Sequence, residues 1–85
     1  MFEIVFVKRA FKELSKLKKP LQERIISVLE RVRMRPQKYL VKLIGYPAYK
    51  LRIGEYRVII KLDSKSQKLI ILKVDHRRRI YKNLK

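Results

Sequence analysis

The sequence predicts an α+β fold: an N-terminal strand, a helical hairpin, then an antiparallel sheet of three or more strands packed on the helices. Three observations predict it. The chain opens on a β-branched and aromatic run, Phe2-Glu3-Ile4-Val5-Phe6-Val7. Its apolar spacing then changes to threes and fours through residue 32. From Tyr49 onward, three alternating segments are separated by short turn signals.

Each element follows from its residues. Ala10, Phe11, Leu14 and Leu17 make an amphipathic helix over residues 8–18. Pro20 ends that helix and suits the first turn of the next. Leu21, Ile25, Val28, Leu29 and Val32 form the second apolar stripe. Arg33 and Arg35 complement the dipole at its C-terminal end, and Pro36 stops it. Residues 37–47 read as a connecting loop, with a short strand near residues 41–44. Tyr49 to Ile53, Tyr56 to Leu62 and Lys68 to Asp75 read as strands. Gly54-Glu55 suits a two-residue type II′ turn, and residues 63–67 form a second, polar loop.

The 85 residues fit one domain over 1–85. A domain of this size buries roughly 60–65% of the surface its unfolded chain exposes, so its stability margin is thin and a partner can add to it. The 24 Lys+Arg against 7 Asp+Glu give a net charge of +17. Such a charge repels itself and favours a polyanion, with nucleic acid first and a membrane surface or acidic protein behind. The chain has no cysteine and one histidine, His76, which argues against disulfides and a metal site, and no cofactor is expected. No apolar run approaches the ~20 residues of a membrane span. The first nine residues lack the order of a signal peptide, so a cytoplasmic location and no membrane partner are expected. Residues 76–85, rich in Arg77, Arg78, Arg79, Lys82 and Lys85, read as a partly disordered basic tail.

Strand alternation assigns faces. The Gly54-Glu55 turn sets Arg52 opposite Arg57, and a loop over residues 63–67 sets Arg57 opposite Lys73. One face then collects Tyr49, Leu51, Ile53, Tyr56, Val58, Ile60, Leu62, Ile70, Leu72 and Val74, and packs on the helices. The other carries Lys50, Arg52, Arg57, Lys61, Lys73 and Asp75, with Ile59, Leu69 and Ile71 beside them. Arg52, Arg57 and Lys73 form a row of like charge, which costs stability unless an anion neutralises it. A phosphate backbone or an acidic protein segment would do so. A plainly solvated basic face is the alternative.

These residues carry a resemblance. The run from Tyr49 to Val58, Tyr-Lys-Leu-Arg-Ile-Gly-Glu-Tyr-Arg-Val, resembles the central signature of the RelE/ParE toxin superfamily, and Lys42-Leu43-Ile44-Gly45 resembles the segment leading into it. His76-Arg77 and the later Tyr81 resemble the C-terminal signature. The resemblance implies a helical hairpin on an antiparallel sheet joined by the first strand. It implies a toxin held inactive by an acidic RelB-like antitoxin in a hetero-oligomer. The RelE branch cleaves mRNA in the ribosomal A site without a metal, and the ParE branch inhibits DNA gyrase. The basic row looks more like the RelE branch, whose partners are the ribosome and mRNA.

Cleavage of this kind starts with attack of a ribose 2′-OH on the adjacent phosphate. It needs proton removal, stabilisation of charge on phosphate and protonation of the leaving oxygen. By similarity, Arg57 and Arg77 stabilise the scissile phosphate, Lys50 is the candidate base and Tyr81 stacks on or orients the nucleotide. Arg52, Lys73, His76 and Arg78 are the substrate-binding candidates. Each has a structural alternative: Arg57 solvated, Tyr81 capping the core edge, His76 packed in the fold. A gyrase-directed inhibitor and an RNA-binding module without catalysis remain as competing readings.

Overall fold

The computed structural model describes residues 1–82; Lys85, assigned above to the basic tail, lies outside them. The order of elements is β1 (Glu3–Phe6), α1 (Lys8–Ser15), α2 (Lys19–Val32), α3 (Pro36–Tyr39), β2 (Val41–Lys42), β3 (Tyr49–Ile53), β4 (Tyr56–Asp63) and β5 (Lys68–His76). The strands form one five-stranded sheet in the order β1-β5-β4-β3-β2. β1 joins it parallel to β5, and every other pairing is antiparallel. Among the described residues, no helix is long and apolar enough to cross a membrane.

The apolar stripe of α2 behaves as its spacing requires: Ile25, Leu29 and Val32 are fully buried, and Leu21 and Val28 pack at the margin. Ala10 and Leu14 of α1 are buried with them, whereas Phe11 stays largely exposed. The helices cover the sheet face carrying Leu51, Ile53, Val58, Ile60, Leu69, Ile71 and Val74. Pro36 starts the short helix α3 after ending α2, a turn of helix where a loop was expected.

The β3–β4 hairpin has the expected register, Leu51 opposite Val58, Arg52 opposite Arg57 and Ile53 opposite Tyr56. Gly54 has φ +59 and Glu55 a negative φ, the sign pattern of a type II′ turn. A Cβ at Gly54 would lie 3.0 Å from Nη1 of Arg24, the movable end of a side chain from α2, so it is the positive φ that favours glycine here.

The β4–β5 register differs from expectation. Asp63 pairs with Lys68, one residue on from the expected Leu62–Lys68 pair. A β-bulge then shifts it again: Ile60 pairs with Ile71 and Ile59 with Lys73, leaving Leu72 as the extra residue. Arg57 therefore faces Asp75, not Lys73, and the expected row of three cations does not form. The bulge also explains why Leu69 and Ile71, rather than Ile70 and Leu72, enter the helix-side core.

The second sheet face is only partly a charged surface. Ala48, Ile59 and Ile80 form a smaller buried cluster there, with Leu43, Tyr46 and Leu72 against it. Ile80 is fully buried, so the expected disorder of the tail does not hold for residues 76–82. Backbone bonds from Arg79 and Ile80 to the His76 carbonyl, and from Lys82 to that of Arg79, wind this stretch into consecutive turns.

Candidate phosphate-binding cleft

The β3–β4 turn organises the candidate site. Arg57 sits on β4 two residues past Glu55, half-buried, and its Nη1 donates to the carbonyls of Gly54 and Tyr56 at 2.9 Å each. These bonds hold the guanidinium back against the turn. Arg77 comes to the same end of the sheet: its backbone N–H donates to the Glu55 carbonyl at 2.8 Å, and its Nε lies 3.1 Å from Glu55 Oε1. The structure thus gathers Arg57 and Arg77 around one turn, with Arg52 directly across the hairpin from Arg57.

Beside that turn lies an open cleft of about 660 Å³. β2 pairs only with Tyr49 and Lys50, so β3 runs on past it with an uncovered outer edge. The cleft occupies this edge. Lys50, Leu51, Arg52 and Arg57 line it from the sheet, Val41 from β2, Val28 and Arg31 from α2, and Lys38 and Tyr39 from α3. Among the described residues, its lining holds five cations and no carboxylate. Ion pairs among the described residues engage Glu13, Glu30, Glu55 and Asp75 with Arg9, Arg33, Arg77 and Arg79, none of which lines the cleft. A cationic concavity without internal counter-charge suits an incoming polyanion.

Lys50 also borders a second hollow of about 450 Å³, shared with Val41, Lys42, Leu43, Ile44, Tyr46 and Tyr81. Tyr81 is half-exposed, so its ring is available beside Lys50. The structure therefore sets Lys50 between two groups, Arg52 and Arg57 on one side and Tyr81 on the other.

Lys73 is placed differently from its sequence assignment. It is buried at 4% exposure, opposite Ile59, and its Nζ donates to the Arg79 and Lys82 carbonyls. Burial holds its ammonium below the ordinary lysine range, and the nearby Arg9 charge acts in the same direction. Lys73 spends its donors on the chain's own carbonyls and pins the C-terminal turns. It is not part of a surface row. His76 is half-buried, packs edge-on to Tyr56 at 5.5 Å and accepts the Arg78 backbone N–H at Nδ1. The neutral ring then carries its proton on Nε2. Arg78 is exposed at the chain's last turns.

Glu13 was not singled out in the sequence. β1 reaches only as far as Ile71 on β5, so the outer edge of β5 beyond it is uncovered. Glu13 Oε1 accepts the Val74 N–H there at 2.7 Å, supplying the partner that β1 no longer offers. Arg31, Lys38 and Tyr39 were also missed. Their available signal was Arg31 at i+3 from Val28, on the margin of the α2 stripe, and a Lys-Tyr pair directly after a helix-starting proline.

A profile for the ParE toxin of type II toxin–antitoxin systems (parDE) matches residues 4–81. The chain belongs to this toxin family. Solved structures of RelE toxins share its fold. The toxin of the intact E. coli RelBE toxin–antitoxin complex is 25% identical, with a TM-score of 0.79 over 89% of this chain and 96% of that one. The archaeal RelE–RelB complex from Pyrococcus horikoshii gives 28% identity and a TM-score of 0.76 over 92% and 97%. The RelB–RelE complex from Methanococcus jannaschii gives 25% and 0.73 over 95% and 99%. No curated protein matches the chain. This RelE/ParE toxin thus has the superfamily, the fold and the toxin class that the Tyr49–Val58 run implied.

Proposed function

We propose that this toxin is a metal-independent endoribonuclease of the RelE type, which cuts mRNA in the ribosomal A site and so stops translation. The observation that carries this reading is the cleft: Arg57, braced on two carbonyls, stands with Arg52 and Lys50 in a concavity that holds cations and no carboxylate.

The chemistry follows from what these groups can do. A phosphate entering the cleft meets Arg57 and Arg52 across one hairpin, and the brace on Arg57 is preorganisation set before substrate arrives. The 2′-oxygen attacks phosphorus as its proton leaves, negative charge builds on the non-bridging oxygens, and the bond to the 5′-oxygen breaks as that oxygen takes a proton. The products are a 2′,3′-cyclic phosphate and a 5′-hydroxyl. Arg57 stabilises the added charge, with Arg77 approaching from the same turn once phosphate draws it from Glu55. Lys50 borders both the cation cluster and the hollow that holds Tyr81, and serves as base; Tyr81 stacks on the base of the bound nucleotide. Arg78 contributes outer charge. His76, turned into the fold, supports Arg78 rather than the phosphate.

The natural partner on this reading is an acidic antitoxin of the RelB kind, because the net charge of +17 favours a complementary protein and relatives of similar fold were solved as RelB complexes. The protein then works in the cytoplasm, on ribosomes. The described residues offer no His/Glu acid–base pair in the cleft, so on this reading the ribosome completes the orientation of substrate.

The test is inducible expression followed by primer extension on a translated mRNA, repeated with purified protein on RNA with and without ribosomes. Cuts that need ribosomes support the proposal. Efficient cutting of the same RNA alone would overturn its ribosome dependence. A second reading, inhibition of DNA gyrase, is favoured by the ParE identity of the matching profile. It requires growth arrest with DNA damage and intact mRNA. RNA binding without toxicity would instead mark a non-catalytic module.

A further inference from the structure

The cleft extends beyond the residues that the proposed chemistry uses. Its far wall comes from the helical layer: Arg31 on α2, then Lys38 and Tyr39 on α3. Arg31 and Lys38 are exposed, and neither has a carboxylate partner among the described residues. The Lys38 ammonium lies 5.9 Å from the centre of the Tyr39 ring, which is itself 38% exposed. The cleft, of about 660 Å³, falls within the roughly 300–1,000 Å³ range of small-molecule and cofactor sites. One phosphate at Arg57 leaves this wall empty.

We propose that Arg31, Lys38 and Tyr39 form a second RNA subsite, which grips the single strand beside the scissile phosphate. Arg31 and Lys38 hold a neighbouring backbone phosphate, and Tyr39 offers a ring face to a base. The alternation of cations with an aromatic ring is the reason for choosing single-stranded RNA over an acidic peptide. Cations alone suit both ligands, and a half-exposed ring among them offers any nucleobase a face to stack on. The subsite gives no sequence readout, because phosphate contacts position a strand and stacking tolerates every base. This inference rests on the RNA-cleaving reading above, and its test is independent of cleavage.

The experiment measures binding of the full chain to labelled 2′-O-methyl oligonucleotides, which cannot be cleaved, by fluorescence anisotropy across a salt series. Oligonucleotides of two and six residues are compared. For the longer strand, Arg31→Gln with Lys38→Gln should flatten the slope of log affinity against log salt by about 0.7, the contribution of the one phosphate contact that the pair makes to a single strand. The short strand, held at Arg57, should keep its slope. The control pair Lys16→Gln with Lys19→Gln removes the same charge from exposed positions outside the cleft and should leave both slopes unchanged. Tyr39→Ala should weaken the longer strand about tenfold, within the range measured for loss of one stacked base. Tyr39→Phe should not.

An unchanged slope in the Arg31/Lys38 variant, or an equal loss in the control pair, would overturn the subsite. So would a poly-glutamate peptide that binds with the same dependence on Arg31 and Lys38 while Tyr39→Ala has no effect on the RNA; that result would assign the wall to an acidic protein. If wild type cuts no mRNA but the slopes behave as expected, the cleavage reading fails and the subsite stands. If wild type cuts and the slopes do not move, only the subsite fails.

Discussion

Replacing Arg57 with alanine separates stability from chemistry, and the structure sets both magnitudes. The side chain loses two hydrogen bonds to the Gly54 and Tyr56 carbonyls. Such bonds are worth about 0.5–1.5 kcal/mol each, and these carbonyls sit at a partly solvated turn. Relief of the Arg52 charge across the hairpin offsets part of the loss. The net cost is therefore about 1–2 kcal/mol. An 85-residue domain has roughly 4–13 kcal/mol to draw on at typical stability per residue, so more than nine-tenths of the variant stays folded at 25 °C. Its melting temperature falls by about 4–8 °C for each kcal/mol. Loss of a preorganised donor to a developing oxyanion, in contrast, costs ~10²–10³ in rate. Ribosome-dependent cleavage, measured with thermal unfolding of the same preparation, should thus fall a hundredfold or more while the protein remains folded. Arg57→Lys should recover part of the activity, because a point charge replaces a planar fork. Full activity in Arg57→Ala would remove Arg57 from the site. Activity lost only in proportion to the unfolded fraction would make it a structural brace of the turn and nothing more.

Lys73 has a testable pH signature. Its folded pKa lies below the ordinary 10.5, so between the two values the unfolded chain binds more protons than the fold. Stability relative to Lys73→Met should be flat below that window and rise with pH through it, in parallel urea titrations at alkaline pH; identical slopes in the two proteins would refute the burial argument. Glu13→Ala leaves the Val74 N–H without its partner and should cost about 1–3 kcal/mol in denaturant unfolding, whereas Glu13→Gln, which still offers an oxygen, should cost much less. Glu55→Ala breaks an exposed pair and should change stability by under about 1 kcal/mol, while tightening RNA binding by freeing Arg77; weaker binding would show that Glu55 positions Arg77 instead.

The parts of the fold legible in the sequence are those fixed locally. The α2 stripe repeats over three turns, and the two-residue Gly54-Glu55 turn admits a single register for its strands. The second hairpin failed for two separable reasons. Its loop is one residue shorter than expected, and the bulge at Leu72 adds one more step. Each step inverts side-chain parity, and two restore it. Val74 therefore falls on the helix-side face as expected, while Ile70 and Leu72 do not. The same two steps moved Lys73 away from Arg57 and brought Asp75 there. The tail misled for another reason. Its charge suggested a solvated segment, and the order it has joins the Lys73 bonds to its carbonyls with one apolar side chain, Ile80, meeting Ile59 and Ala48 from distant parts of the chain. A single hydrophobe has no period to read. The far wall of the cleft was hidden likewise, because α3 and β3 meet only in three dimensions.

That wall changes how the charge of the chain is understood. A net charge of +17 spread evenly would be a diffuse attraction to any anion. Here the carboxylates at Glu13, Glu30, Glu55 and Asp75 neutralise cations elsewhere, and the cleft is left with its five uncompensated. Crowding them opposes folding, and an anion bound among them removes that penalty. By linkage, a partner present at a hundred times its dissociation constant adds about 2.7 kcal/mol to the stability of the fold. On the proposed reading, the same concentration of charge serves catalysis and restraint. An acidic antitoxin need not imitate RNA to inhibit this toxin, since carboxylates that neutralise Lys50, Arg52 and Arg57 exclude phosphate by occupying its counter-charge. Rising salt would then weaken antitoxin and RNA together, so release of the active toxin would depend on removal of the antitoxin rather than on ionic conditions.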